Sequence, residues 1–160
     1  AGPVASLKII ADSNILPLVN AEVRGGTLHI SNRKNFDASE MPVVRVVAPE
    51  LNRIDVSGAC EVTASSPDFK NLSISISGAG DVKATGKAQR LELHISGAAS
   101  ADLSVLKADD CEISISGSGY ATVNPQKSLH VSVSGSGHVK SLSKPDKLDI
   151  NSSGSGSVSF

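Results

Sequence analysis

Leu72-Ser73-Ile74-Ser75-Ile76-Ser77-Gly78-Ala79-Gly80-Asp81-Val82 alternates apolar and polar residues, reaches a Ser-Gly corner, and resumes alternating. Strict alternation is the pattern of a half-buried β-strand, because successive side chains point to opposite faces. The same phrase returns around Ser57-Gly58, Ser96-Gly97, Ser116-Gly117, Ser134-Gly135 and Ser153-Gly154. Successive glycines lie 20, 19, 20, 18 and 19 residues apart. A near-constant period of that size marks stacked supersecondary units. A column made of Gly58, Gly78, Gly97, Gly117, Gly135 and Gly154 points to a tight structural corner, where φ > 0 or close backbone approach excludes a Cβ.

Counting outward from each glycine gives an inside and an outside. Two residues before it stand Val56, Ile76, Ile95, Ile115, Val133 and Ser152; four before stand Ile54, Ile74, Leu93, Ile113, Val131 and Ile150. Six before stand Asn52, Leu72, Leu91, Cys111, Leu129 and Leu148, and four after stand Val62, Val82, Ala101, Ala121, Val139 and Val158. These columns are apolar but for Asn52 and Ser152, and they are the expected core. The column two after the glycine (Cys60, Gly80, Ala99, Gly119, Gly137, Gly156) is uniformly small, as a narrow interior requires; Cys60 and Ala99 are expected to loosen their corners slightly. The column three before it (Asp55, Ser75, His94, Ser114, Ser132, Asn151) is polar and expected to face solvent.

One such coil cannot bury its apolar side, but stacked coils share a core. The fold class is therefore all-β, a single-stranded parallel β-helix (β-solenoid) with ~19–20 residues per coil and strands stacked ~4.8 Å apart. Right-handed coiling is the safer expectation, since parallel crossovers are overwhelmingly right-handed. The domain expectation is one solenoid over residues 1–160, with irregular N-terminal capping coils over 1–50 and six regular coils over 51–160. Within the first part, Leu7 to Ala11 reads as a strand, Asp12-Ser13-Asn14 as a turn, and Ile15 to Val23 as strand broken by Pro17. Gly25-Gly26 signals a hairpin into Thr27-Leu28-His29-Ile30-Ser31. Asn32 to Glu40 reads as a surface loop, residues 1–6 as a loose start, and Val43 to Val47 as a strand. The segment Leu103 to Asp110 is the best helical window and is more simply a connection between coils. The last coil, with Ser152 in a core column, reads as a polar terminal cap.

Composition narrows the function. The formal net charge is −1, without a clustered basic stripe, so neither nucleic acid nor an anionic membrane is an expected partner. No run of 18 apolar residues exists, so no membrane insertion is expected. The chain opens at Ala1 without Met or leader and reads as a mature product or a trimmed piece. Cys60 and Cys111 sit three coils apart, roughly 14 Å along the axis. That exceeds disulfide reach and predicts two free, inward-facing thiols. His29, His94, His130 and His138 show no metal-ligand spacing, and no metal or cofactor is expected. The Ser-Gly pairs lack the strand-to-helix setting of a nucleophile elbow; their serines are expected to hydrogen-bond along the stack.

The only reactive-looking column lies five before each glycine: Arg53, Ser73, Glu92, Glu112, His130 and Asp149. Glu92, Glu112, His130 and Asp149 are the weak candidates for a surface-binding site. Stacked carboxylates can share a proton or a cation, and glycosidases need two carboxyl groups ~5–10 Å apart. The simpler reading is a solvated stripe neutralised by neighbouring Lys and His. No catalytic residue is assigned.

Asp12-Ser13-Asn14-Ile15-Leu16-Pro17, Val23-Arg24-Gly25-Gly26-Thr27-Leu28-His29-Ile30, Ala48-Pro49-Glu50-Leu51 and the repeated Ser-Gly-x-Gly occur in an order and spacing that cover nearly the whole chain. Together they resemble the bacterial putative auto-transporter adhesin, head GIN domain family. The resemblance implies a β-helical protein that is secreted, periplasmic or at the cell surface, and it supplies no catalytic residues. The leading expectation is a non-enzymatic envelope adhesin or scaffold with a protein or glycan surface ligand. A carbohydrate-active or glycan-binding protein using the acidic stripe, and a self-assembling structural element or homo-oligomer, stand as alternatives. Aromatic residues are only 2% of the chain, which argues against a strong aromatic-platform lectin.

Overall fold

The computed structural model describes residues 6–32, 42–48, 51–66 and 68–160. Of the loose start expected over 1–6 and the surface loop expected over 32–40, all but Ser6 and Asn32 lie outside them, as does Pro49; Ser6 and Asn32 themselves stand in strands. Two antiparallel elements open the chain. Strand β1 (Ser6–Ile10) is followed by a short 3-10 turn (Leu16–Leu18), with Pro17 in its first turn, and then by β2 (Val19–Arg24) and β3 (Thr27–Asn32). β2 and β3 form the hairpin signalled by Gly25-Gly26, whose φ values are +55° and +78°. Positive φ at both central residues is the type I′ geometry that matches strand twist.

After β4 (Val43–Val47) the chain winds regularly through β5 (Arg53–Gly58), β6 (Glu61–Ser66), β7 (Asn71–Gly78), β8 (Asp81–Gly97), β9 (Ser100–Gly117), β10 (Tyr120–Gly135), β11 (His138–Ser141), β12 (Lys147–Gly154) and β13 (Ser157–Ser159). The result is a β-solenoid of about six turns. β8, β9 and β10 each run through two sides of a coil. The leading face contains β3, β5, β7, the second halves of β8 to β10, and β12, all parallel. The trailing face contains β4, β6, the first halves of β8 to β10, β11 and β13, also parallel. β2 closes the leading face and β1 the trailing face by antiparallel pairing at the N-terminal end. A short third run stacks Ala88 on Ala108 and Ala108 on Pro125. Leu103 to Asp110 lies inside β9, with Leu103, Leu106 and Ala108 fully buried.

The core is the set of inward columns. Ile54, Ile74, Leu93, Ile113 and Val131 stand in register at 0% exposure. One column starts differently: Leu51, at 2% exposure, fills the first coil's position, and Asn52 is exposed. Cys60 and Cys111 are free and buried. Cys60 fits the small column, and its corner is not loosened: Asp81 N donates to Cys60 O at 2.9 Å, as Tyr120 N does to Ala99 O. Burial pushes the Cys60 thiol up to about 11 and the Cys111 thiol up to about 12.

The corner glycines stack Gly58 on Gly78, Gly97, Gly117, Gly135 and Gly154, with φ from +106° to +132°. The amide after each corner donates to the glycine carbonyl one coil back, for example Ser118 N to Gly97 O at 2.9 Å. Backbone-to-backbone bonds thus hold the corner ladder, and in the last coil Ser152 Oγ also donates to Gly156 O at 3.1 Å.

A candidate binding surface on the leading face

Because side chains alternate along each strand, the leading face turns three columns outward. Along the axis its rows are Arg53, Asp55, Ser57; Ser73, Ser75, Ser77; Glu92, His94, Ser96; Glu112, Ser114, Ser116; His130, Ser132, Ser134; and Asp149, Asn151, Ser153. The N-terminal hairpin adds two more rows. Thr27, His29 and Ser31 stand beside Arg53, Asp55 and Ser57, and Arg24, Glu22 and Asn20 stand beside those. The outcome is an eight-row polar grid, with charge concentrated at one margin and hydroxyls at the other.

The serines of this grid behave differently from expectation. Among the described residues, Ser57, Ser75, Ser77, Ser96, Ser114, Ser116, Ser132 and Ser134 make no side-chain hydrogen bond. The amide after the corner is bonded to the backbone one coil back, and none of these hydroxyls reaches a register neighbour across the ~4.8 Å coil rise. The hydroxyls are left to solvent or to a ligand.

Near the N-terminal end the grid dips into an open trough of about 730 Å³, lined by Glu22, His29, Asp55, Ser75, His94 and Ser114 among others. Asp55 accepts from Arg53 Nε through both oxygens, at 2.9 and 3.0 Å, and His29 Nδ1 lies 3.6 Å from it. The hydrogen bond and charge of Asp55 hold the Arg53 guanidinium above its ordinary pKa. Arg24 pairs with Glu22 at 2.7 Å. His94 makes no hydrogen bond to the serines in its column.

The four candidates from the sequence do stack. Glu92 pairs in register with Glu112, Glu112 with His130, and His130 with Asp149. Arg90, which the column count did not single out, lies between the two glutamates. Its Nε is 3.1 Å from Glu92 and its Nη2 is 3.0 Å from Glu112. His130 Nδ1 meets Asp149 at 2.9 Å. Glu92 and Glu112 are thus bridged by one arginine instead of standing as a pair of free carboxylates. Arg90 was legible only as the residue two before Glu92, on the same side of the strand. Glu22, Arg24 and His29 joined the surface through the hairpin, which lies outside the repeat.

The trailing face is less uniform. Tyr120 stacks on His138 with ring centres 5.3 Å apart and planes 16° apart. Both nitrogens of His138 meet serines, Ser157 at 2.6 Å and Ser159 at 3.2 Å, with no carboxylate orienting the ring. Among the described residues no three His, Cys, Asp or Glu side chains converge as a metal site would require, and no helix is long and apolar enough to cross a membrane.

Comparison with known proteins adds a family and a fold. The family model described as putative auto-transporter adhesin, head GIN domain, matches residues 1–145. Among solved structures, a putative adhesin from Bacteroides fragilis NCTC 9343 is similar over 98% of this chain and 82% of its own, with 24% identity and a TM-score of 0.64. A protein described as a putative lipid binding protein from Parabacteroides distasonis ATCC 8503 is similar over 99% of this chain and 85% of its own, with 19% identity and a TM-score of 0.52. Both likenesses are of fold. No curated protein matches the chain.

Proposed function

Because the chain belongs to the putative auto-transporter adhesin, head GIN domain family, we propose that it is a non-enzymatic, secreted or surface-displayed adhesin whose ligand lies along the leading face. The observation that carries this reading is the array of unpaired hydroxyls around the trough at His29, Asp55 and His94. Such a surface offers donors and acceptors at a fixed repeat, set over aliphatic side chains (Ile30, Val56, Ile76, Ile95) that are themselves almost wholly buried. Its complement is an extended, polar, hydroxyl- or amide-rich polymer, with glycan as the leading class. Each contact is weak, so binding gains strength from the number of rows engaged. The non-enzymatic part is supported by Arg90, which occupies the space between the two carboxylates that an acid/base pair would use.

The test is surface binding to a panel of immobilised polysaccharides, bacterial envelopes and matrix proteins. A variant carrying Ser75→Ala, His94→Ala and Ser114→Ala should lose binding at least about tenfold, from several hydrogen bonds of ~0.5–1.5 kcal/mol each. A trailing-face control, Thr63→Ala with Thr122→Ala, should bind as the parent does. Equal loss in both variants, or no binding by the parent, overturns the assignment. Cleavage of any polysaccharide that disappears with Glu92→Gln and Glu112→Gln would replace it with an enzyme.

A further inference from the structure

The trough on the leading face is long and narrow. Its lining comes from six consecutive rows, on β2, β3, β5, β7, β8 and β9. One wall is the corner column, where Asn20, Ser31, Ser57, Ser77, Ser96 and Ser116 stand in register. The other is the middle column, which runs from Glu22 and His29 to His94 and Ser114. Between them lies a floor of Ile30, Val56, Ile76 and Ile95, each 2% exposed. The inward column two residues earlier (Leu28, Ile54, Ile74, Leu93) is sealed at 0%. At the coil rise, six rows span ~24 Å along the axis. A cavity of about 730 Å³ spread over that length has a cross-section of ~30 Å², the width of a single polymer chain.

Building on the glycan reading above, we propose that the trough holds one neutral, linear, β-linked polysaccharide chain along the solenoid axis, with one sugar ring per coil. The direction follows from the walls, which continue from row to row. A ligand lying along a strand would meet only the three outward residues of one row, ~13 Å in all. From β3 to β9 every row is paired on both sides, so strand addition by a peptide finds no free edge there.

The repeat also selects a sugar chain. An extended peptide advances ~3.3–3.4 Å per residue and falls out of step with coils ~4.8 Å apart. A β-linked pyranose chain advances by one ring over nearly the coil rise, so each ring meets the same small polar wall. The charge selects a neutral chain. The two carboxylates of the trough, Glu22 and Asp55, already hold Arg24 and Arg53. An acidic chain would therefore meet carboxylates without a free cation to offset them.

Titration calorimetry of the purified chain with cello-oligosaccharides of two to six units tests the proposal. Affinity should rise at least about twofold with each added unit, as one more row is engaged. Coiled malto-oligosaccharides and β-1,4-linked oligoglucuronides of six units should bind at least about tenfold more weakly than the cello-hexasaccharide. Ser75→Leu with Ser77→Leu closes the row over Ile76 and leaves runs of three rows and two. The gain with length should then stop at three units. Ser132→Leu with Ser134→Leu closes the next row beyond the trough and should leave the series unchanged. Melting temperatures report whether the leucines perturb the coil; if they do, the parent's length and charge series decide alone. No gain beyond three units in the parent, equal or tighter binding of the oligoglucuronides, or equal effects of the two closures overturns the proposal. A parent that binds immobilised polysaccharides but ignores the cello-oligosaccharides overturns it too, and leaves the glycan reading standing. A parent that binds no polysaccharide removes both.

Discussion

Gly97 holds φ at +131°, and a Cβ built on it would lie 2.4 Å from the Gly78 carbonyl oxygen one coil back. That oxygen accepts the Ala98 amide at 3.0 Å, so it cannot move without breaking the corner ladder. Gly97→Ala should cost about 3 kcal/mol in denaturant unfolding, from backbone strain and clash together. Gly25→Asn is the contrast. Its φ is +55° and nothing lies within 4 Å, so this change should cost under about 1 kcal/mol. The buried thiols make a second residue-scale prediction. Their pKa values are raised from 9.0 to about 11 and about 12 by burial, so the folded state disfavours the thiolate. Their contribution to stability is intact below pH 9, where the unfolded thiols are protonated too, and is lost as pH rises through the folded values. Thiol reagents at pH 8 should leave both cysteines unmodified until denaturant is added, and the melting temperature should fall above pH 9, less steeply in Cys60→Ala.

Within one strand, inside and outside are a single residue apart. Ile76 is 2% exposed and stacks in register between Val56 and Ile95, whereas Ser75 faces the trough. Ile76→Asp should abolish the cooperative unfolding transition by burying an unpaired charge, and Ser75→Asp should change stability by under about 1 kcal/mol. Equal effects would mean that the strand faces are assigned the wrong way round. Arg90→Ala leaves Glu92 and Glu112 facing each other in register without their shared cation. Its cost should stay below about 1 kcal/mol, because the side chains are partly exposed and screened, and it should grow as salt is lowered. The strands and their faces were legible because alternation and the glycine column repeat in the sequence. Arg90 was not legible as a bridge, since which glutamate an arginine reaches depends on coil stacking and rotamer. The repeated serines suggest a self-paired ladder; across the ~4.8 Å coil rise their short side chains do not meet, whereas longer partners such as His138 with Ser157 do. The contribution of Glu22, Arg24 and His29 to the surface required knowing that the hairpin joins the leading face.

Over the whole molecule, each coil touches its neighbours and little else, so stability is a chain of nearest-neighbour terms. Native-state hydrogen exchange should therefore be slowest in the second halves of β8 and β9, which have a parallel partner on both sides, and fastest in β12 and β13. Equal protection of β12 and β9 would mean that pairing with neighbouring coils does not set local stability. The glycine-to-glycine spacing varies between 18 and 20 residues while the corners stay in register, so length differences are absorbed at the far side of the coil. The molecule is consequently a ruler with exchangeable graduations. Duplicating one Ser-Gly segment in the middle would lengthen the polar face by ~4.8 Å and leave both ends unchanged. Reach and ligand length can then be tuned by the number of copies of a short cassette, without redesigning any contact.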